Sequence, residues 1–301
     1  MLETVISARR RDLGGFEVGR VLPFPGRRMV GPFVFFDHMG PAIFGSGAPR
    51  SADVRPHPHI GLCTLTYLFS GEIRHRDSTG VEQGIRPGEV NWMTAGSGIS
   101  HSERFEGPMR EANARIEGIQ AWVALPERDE ETAPGFVHIP STAVSSIHDG
   151  GLAASVIAGA AFGVAPRFQT FSPLFYVHVA LAAGAVCPLP EGYAERAAYV
   201  ASGAIEHNGR SYGAGEMLVF TGSGGDTVRA PQAAVLMLLG GEPLGERHVW
   251  WNFVSSRKDR IEQAKADWRA GRFAMPPGED EFIPLPEDTK PLASKPPETM
   301  L

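Results

Sequence analysis

Short runs with a two-residue hydrophobic period, separated by glycine and proline, dominate the first 130 positions. Residues 16–22 alternate apolar and polar, the pattern of a half-buried strand. Residues 30–41 are apolar almost throughout, which predicts a strand buried on both faces. Residues 64–69 are rich in β-branched and aromatic side chains, and a strand resumes at 73–77 after the break at Ser70-Gly71. Arg86-Pro87-Gly88 is a tight turn leading into a strand at 89–94, and extended runs follow at 99–105 and 116–125. Strands at this even spacing predict a sandwich or small barrel. One stretch has the helical period. Ile261, Ala264, Lys265 and Trp268 share a face, so a helix is expected over 255–271, capped by Ser256 and ended by Gly271.

The second half repeats the first faintly. Ser70-Gly71-Glu72-Ile73 is echoed by Ser202-Gly203-Ala204-Ile205, and the turn before Glu89-Val90 by Gly213-Ala214-Gly215-Glu216-Met217. Duplication of one β domain is the economical reading. The expected division is an N-terminal domain over 1–130 and a polar connection over 131–150. A C-terminal domain follows over 151–254, then the helix with a proline-rich surface tail over 255–301.

Composition narrows the class. The chain has 301 residues, with 36 Gly, 25 Pro and only 21% charged residues, which suits a turn-rich β protein and not a disordered chain. A net charge of -6 argues against nucleic acid or an anionic membrane surface as the main partner, because phosphate binding needs a basic surface. Two cysteines, Cys63 and Cys187, give no disulfide framework, and no apolar run reaches membrane-spanning length. A reducing cytoplasm is the expected compartment. Arg9-Arg10-Arg11 reads as a solvated basic run, and Gly96-Ser97-Gly98 as a turn, since neither a helix nor a lysine follows it.

The candidate chemistry lies at the two ends of one stretch, His57-Pro58-His59 and His101-Ser102-Glu103. Side chains at i and i+2 of a strand point to one face. Two such pairs on facing strands would bring His57, His59, His101 and Glu103 to one point, where they could hold a divalent metal with up to two positions open. Spacing alone leaves an alternative open, since paired histidines on a strand edge also occur as surface residues.

The segments HPHIGLCTLTYLFSGEIRHRDSTG and RPGEVNWMTAGSGISHSE, with FVFFDHMGP upstream and GEPLGE at 241–246, closely resemble the pirin family of the cupin superfamily. The resemblance is dense over 30–103 and thinner to about residue 273. It implies an all-β bicupin: two antiparallel β-barrel (jelly-roll) domains face to face, plus a C-terminal helix, with the metal in the N-terminal barrel. The family's ligands map onto His57, His59, His101 and Glu103. Counting from the repeat landmarks, the corresponding C-terminal positions fall near Leu189, Glu191, Val228 and Ala230, so no second metal set is expected there. Trp250-Trp251-Asn252-Phe253 departs from the family's usual small-residue segment.

Iron(II) is the first expectation for the metal, with nickel, cobalt, manganese, copper or zinc as alternatives. The resemblance implies a flavonol 2,3-dioxygenase (quercetinase), taking a small aromatic substrate and O2, with Glu103 as general base. The alternative it implies is a non-catalytic, redox-sensitive regulator that binds a protein partner. Phe33, Phe35, Phe36, Met39, Trp92 and Met93 could wall the site, although core packing is the plainer role for each. Cys63 could face the site if no bulge intervenes, although a buried, inert thiol is the plainer reading. His38 and His75, each near an acid, could support a ligand or contact a substrate, although ordinary hydrogen-bonded histidines are the plainer reading.

Overall fold

In the computed structural model, which describes residues 1–12, 15–222 and 224–286, two sheets of the same design stand face to face. The first runs Gly135–Ile139, Val90–Thr94, Leu62–Ser70, Ala114–Ala124, Phe33–Phe44, Glu17–Leu22 and Arg9–Asp12. The second runs Leu2–Ser7, Glu216–Thr221, Glu195–Ser202, Ala234–Gly241, Leu174–Leu181, Leu152–Gly159 and Ser145–Asp149. A four-stranded sheet closes each into a barrel. In the N-terminal half it is Val54–His59, Ile99–Arg104, Ile73–Asp77 and Glu82–Ile85; in the C-terminal half, Val186–Pro188, Thr227–Arg229, Ala204–His207 and Arg210–Gly213. The two orders match strand for strand, as duplication of one unit requires. Among the described residues the molecule is all-β, two barrels with one α-helix, the architecture that the resemblance implies.

The seven-stranded sheets bury one core between them, in which Phe33 lies 5.6 Å from Tyr176 and Phe36 lies 4.9 Å from Tyr199, ring centre to ring centre. This decides the fate of the apolar strand Phe33–Phe44. Phe33 and Phe36 join the core between the barrels, whereas Phe35, Asp37 and Met39, at alternate positions, turn into the N-terminal barrel. Trp92 also packs in the shared core, and Met93 in a separate cluster with Val34 and Leu62.

Two departures from the sequence expectation concern the edges. The polar stretch 131–150 carries two strands: Gly135–Ile139 pairs with Val90–Thr94 of the N-terminal sheet, and Ser145–Asp149 with Leu152–Gly159 of the C-terminal one. Residues Leu2–Ser7 cross over to pair with Glu216–Thr221 of the C-terminal sheet. Each strand satisfies the backbone groups of what would otherwise be an exposed edge, a requirement that side-chain pattern does not record.

The helix is shorter than its pattern, Lys258–Arg269, and Ser256 does not cap it. The hydroxyls of Ser255 and Ser256 donate instead to the buried Glu130 carboxylate, at 2.9 and 3.1 Å, and the Arg247 guanidinium sits 3.1 Å from the same group. The helix packs Ile261, Ala264 and Trp268 against Ile60 and Phe253, so the C-terminal segment is built onto the N-terminal barrel. Residues 274–283 continue across that barrel. Ser100 donates to the Ala274 carbonyl, Ser102 and Arg104 bind Glu279, and the Ile283 N–H donates to the Pro56 carbonyl. The expected tail extends through 287–301, which lies outside the described residues.

Candidate metal centre

Strand Val54–His59 pairs antiparallel with Ile99–Arg104, and the register sets His57 directly opposite His101. His59 ends the strand on the same face, and the chain turns at Gly61. There φ is +67°, and a Cβ would meet the Val254 carbonyl at 2.0 Å, so this turn requires glycine. The ring centres of His57 and His101 are 4.3 Å apart, and His59 is 5.0 Å from each. One ring nitrogen from each imidazole lies within 4.8 Å of the other two, and among the described residues this is the one group able to hold a metal ion.

The hydrogen bonds fix which nitrogens converge. The Nδ1–H of His57 donates to the Arg55 carbonyl at 2.9 Å, and that of His59 to the Asn252 carbonyl at 3.0 Å. A carbonyl can only accept, so both rings carry their proton on Nδ1 and keep a lone pair on Nε2. Burial drives the His57 pKa down to about 4, and holds His59 and His101 well below the ordinary histidine value, so all three rings are neutral at pH 7. Nε2 of His101 is buried with no hydrogen-bond partner. Leaving such an atom unsatisfied costs about 1–3 kcal/mol. A cation among the three imidazoles would satisfy it, so the residues present fit a bound metal.

Glu103 stands two positions beyond His101, after a shift in strand register. Its carboxyl lines the same cavity but is not part of the three-imidazole group. Desolvation by burial raises its pKa to about 7, so near neutrality it can either take or release a proton.

The cavity holds about 200 Å³. Phe35 stacks on Trp122 at 4.0 Å, and Trp122 meets the His59 ring edge-on at 5.2 Å, forming an aromatic wall. Beside it, on the same sheet face, polar groups come from three strands. Arg20 grips Asp37 through two hydrogen bonds of 2.9 and 2.7 Å, and Gln120 accepts from Thr66 at 2.8 Å. Trp251, Asn252 and Ile283 of the C-terminal segment complete the lining.

Of the six candidate wall residues, Phe35 and Met39 line the cavity and the other four are core. Cys63 faces the core between the barrels, because the turn at Gly61 resets strand parity, and burial pushes its thiol up to about 12. His38 bonds Tyr199 across the domain interface at 2.9 Å. Sequence reasoning missed Arg20, Asp37, Gln120 and Trp122, although a charged Asp37 within an apolar strand was a legible signal. Nothing local announces Asn252 or Ile283. In the second barrel Leu189, Val228 and Ala230 fill the interior and Glu191 is exposed, so the corresponding place holds packed apolar atoms.

The comparisons with known proteins agree with this fold. The Pirin family model matches residues 15–123, and the Pirin C-terminal cupin domain model matches 176–274. A pirin-like protein of Caulobacter vibrioides is 59% identical over 95% of this chain and 100% of its own length. The chain belongs to the pirin family. Among solved pirin-fold structures, a quercetin 2,3-dioxygenase from Acinetobacter baumannii superposes with a TM-score of 0.85, at 30% identity over 97% of each chain. A bacterial pirin from Escherichia coli, in complex with nickel(II), shares the fold with a TM-score of 0.63 at 17% identity, over 80% of this chain and 99% of its own. The three imidazoles form a group that could hold a metal ion.

Proposed function

We propose that this pirin is a metal-dependent dioxygenase that opens the heterocycle of a flavonol-like substrate. The observation that carries the reading is the convergence of three neutral imidazoles at an aromatic-walled cavity, beside a carboxyl poised near pH 7. His57, His59 and His101 would hold the metal, with Glu103 as the fourth ligand or as a base beside it. Iron(II) is the ion we expect, since imidazole and carboxylate with open positions suit it, and nickel, cobalt, manganese, copper and zinc are the alternatives. When bound, the metal supplies Lewis acidity and the one-electron chemistry that lets a closed-shell flavonolate react with O2.

The chain's own residues supply the rest. Glu103 takes the proton of the flavonol 3-hydroxyl. Phe35 and Trp122, stacked as one wall, border the ring system and exclude water. Arg20, Asp37 and Gln120 offer hydrogen bonds to substrate hydroxyl or carbonyl groups. Both atoms of O2 enter the opened product, and one ring carbon leaves as carbon monoxide. The two buried, unpaired cysteines fit a cytoplasmic setting. No described helix is long and apolar enough to cross a membrane.

The test is O2 consumption and carbon monoxide release with quercetin, by protein loaded separately with each metal. One-to-one uptake and release supports the reading, and absence of carbon monoxide with every metal overturns it. One observation favours a second reading, a metal-dependent regulator that binds a protein partner. At about 200 Å³ the cavity is smaller than the roughly 300–1,000 Å³ usual for small-molecule sites. A partner captured only by the metal-loaded form, with no turnover, would select it.

A further inference from the structure

The three imidazoles are not oriented alike. His57 and His59 each donate Nδ1–H to a main-chain carbonyl, whereas Nδ1 of His101 lies 3.3 Å from Nδ1 of His75. Two ring nitrogens can bond only if one carries the proton and the other a lone pair, and the residues behind His75 decide which. Nε2 of His75 is 2.9 Å from Oδ2 of Asp77. Asp77 is fully buried, and its Oδ1 accepts from the Thr79 N–H at 2.8 Å and from the Thr79 hydroxyl at 2.6 Å. A carboxylate committed in this way only accepts, so His75 must carry its proton on Nε2 and present a bare Nδ1. His101 then donates Nδ1–H, and its Nε2 is left bare. That nitrogen is the buried, unpartnered atom of the cluster.

The geometry points to Asp77 and His75 as positioning residues that fix the tautomer of His101 and make it the most electron-rich of the three imidazoles. An imidazole nitrogen backed by a carboxylate is a stronger hydrogen-bond acceptor than the amide carbonyls behind His57 and His59. The His75 ring is itself held in place, with Phe136 packed 4.7 Å from it. Phe136 comes from the strand added by the interdomain connection, which ties that segment to the site. The inference rests on reading His101 as a metal ligand, but the tautomer can be observed without metal.

The test uses the full-length chain and the variants His75→Phe, His75→Gln and Asp77→Asn. Nitrogen-15 NMR of the imidazoles in the metal-free protein reads the tautomer. His101 is expected as Nδ1–H in the wild type and as a mixture in His75→Phe, while His75→Gln, whose side-chain oxygen can accept, restores Nδ1–H. In the iron-loaded protein, chelator competition should show about 10–100-fold weaker binding in His75→Phe and partial recovery in His75→Gln. The iron midpoint potential should move upward in Asp77→Asn. A wild-type His101 protonated on Nε2, or an unchanged tautomer in folded His75→Phe, would overturn the inference. So would iron affinity and potential equal to wild type in both His75→Phe and Asp77→Asn. A wild-type protein with the expected tautomer that takes up no metal would instead sink the metal reading and leave the positioning role standing.

Discussion

The Nδ1–H of His59 donates to the main-chain carbonyl of Asn252, 3.0 Å away in space and 193 residues away in sequence. Asn252 lies in the two-residue turn between strands His248–Trp250 and Phe253–Ser255, and the other turn residue, Trp251, has φ of 51°. A bulky side chain in that region costs about 1–2 kcal/mol, and glycine is the usual first residue of such a turn. The turn is thus held in a strained shape while its carbonyl orients a site imidazole and its tryptophan lines the cavity.

Replacing Trp251→Gly removes the strain and the side chain together. We expect stability to change by less than about 1 kcal/mol, since relief of strain offsets lost packing. The KM for quercetin should fall as the cavity opens. Urea denaturation and steady-state kinetics check both, and a raised KM would make Trp251 a substrate contact, not an obstruction.

The hairpin is anchored by Glu130, which accepts from Ser255, from Ser256 and from the Ser256 N–H, and pairs with the buried Arg247. Glu130→Ala leaves that guanidinium uncompensated and should destabilise the protein by about 3–5 kcal/mol. It should also weaken metal retention, although Glu130 touches no part of the site. Thermal unfolding with metal analysis of the surviving folded protein would show it.

Metal content separates the roles of the four predicted site residues. His59→Ala and His101→Ala should each lose most bound metal in protein purified without an affinity tag. Glu103→Gln should keep a measurable share of metal and lose turnover. Undiminished metal in both histidine variants would refute the site, and undiminished turnover in Glu103→Gln would remove the carboxyl from the proton transfer.

A pH dependence follows from the interface between the barrels. The Tyr67 hydroxyl and Nδ1 of His178 are 3.0 Å apart, and burial lowers the His178 pKa from an ordinary 6.5 to about 4. The folded protein therefore binds fewer protons than the unfolded chain between these values. The stability this gives is full above pH 6.5 and is lost as pH falls through 4, by at most about 3 kcal/mol. His178→Gln should lose less stability than wild type between pH 7 and 4.5 in metal-free protein. Parallel losses in urea midpoints would show that His178 does not titrate in this way.

What the sequence determined by itself is whatever repeats over two residues. The inner strands of the N-terminal barrel and the placement of His57 and His59 on one face follow from alternation, because a strand's geometry is local, and the second barrel follows from the repeated landmarks. The resemblance to pirins rests on the same contiguous segments. The tertiary structure decided what depends on groups far apart in the chain. The lone pair of His59 is aimed by Asn252, that of His101 by a chain running back to Asp77, and part of the cavity lining comes from Ile283 of the C-terminal segment. Glu103 shares the cavity yet stands outside the imidazole group, because the register shifts between it and His101. Hydrogen-bond direction and burial are properties of assembled neighbours, and no spacing along the chain carries them.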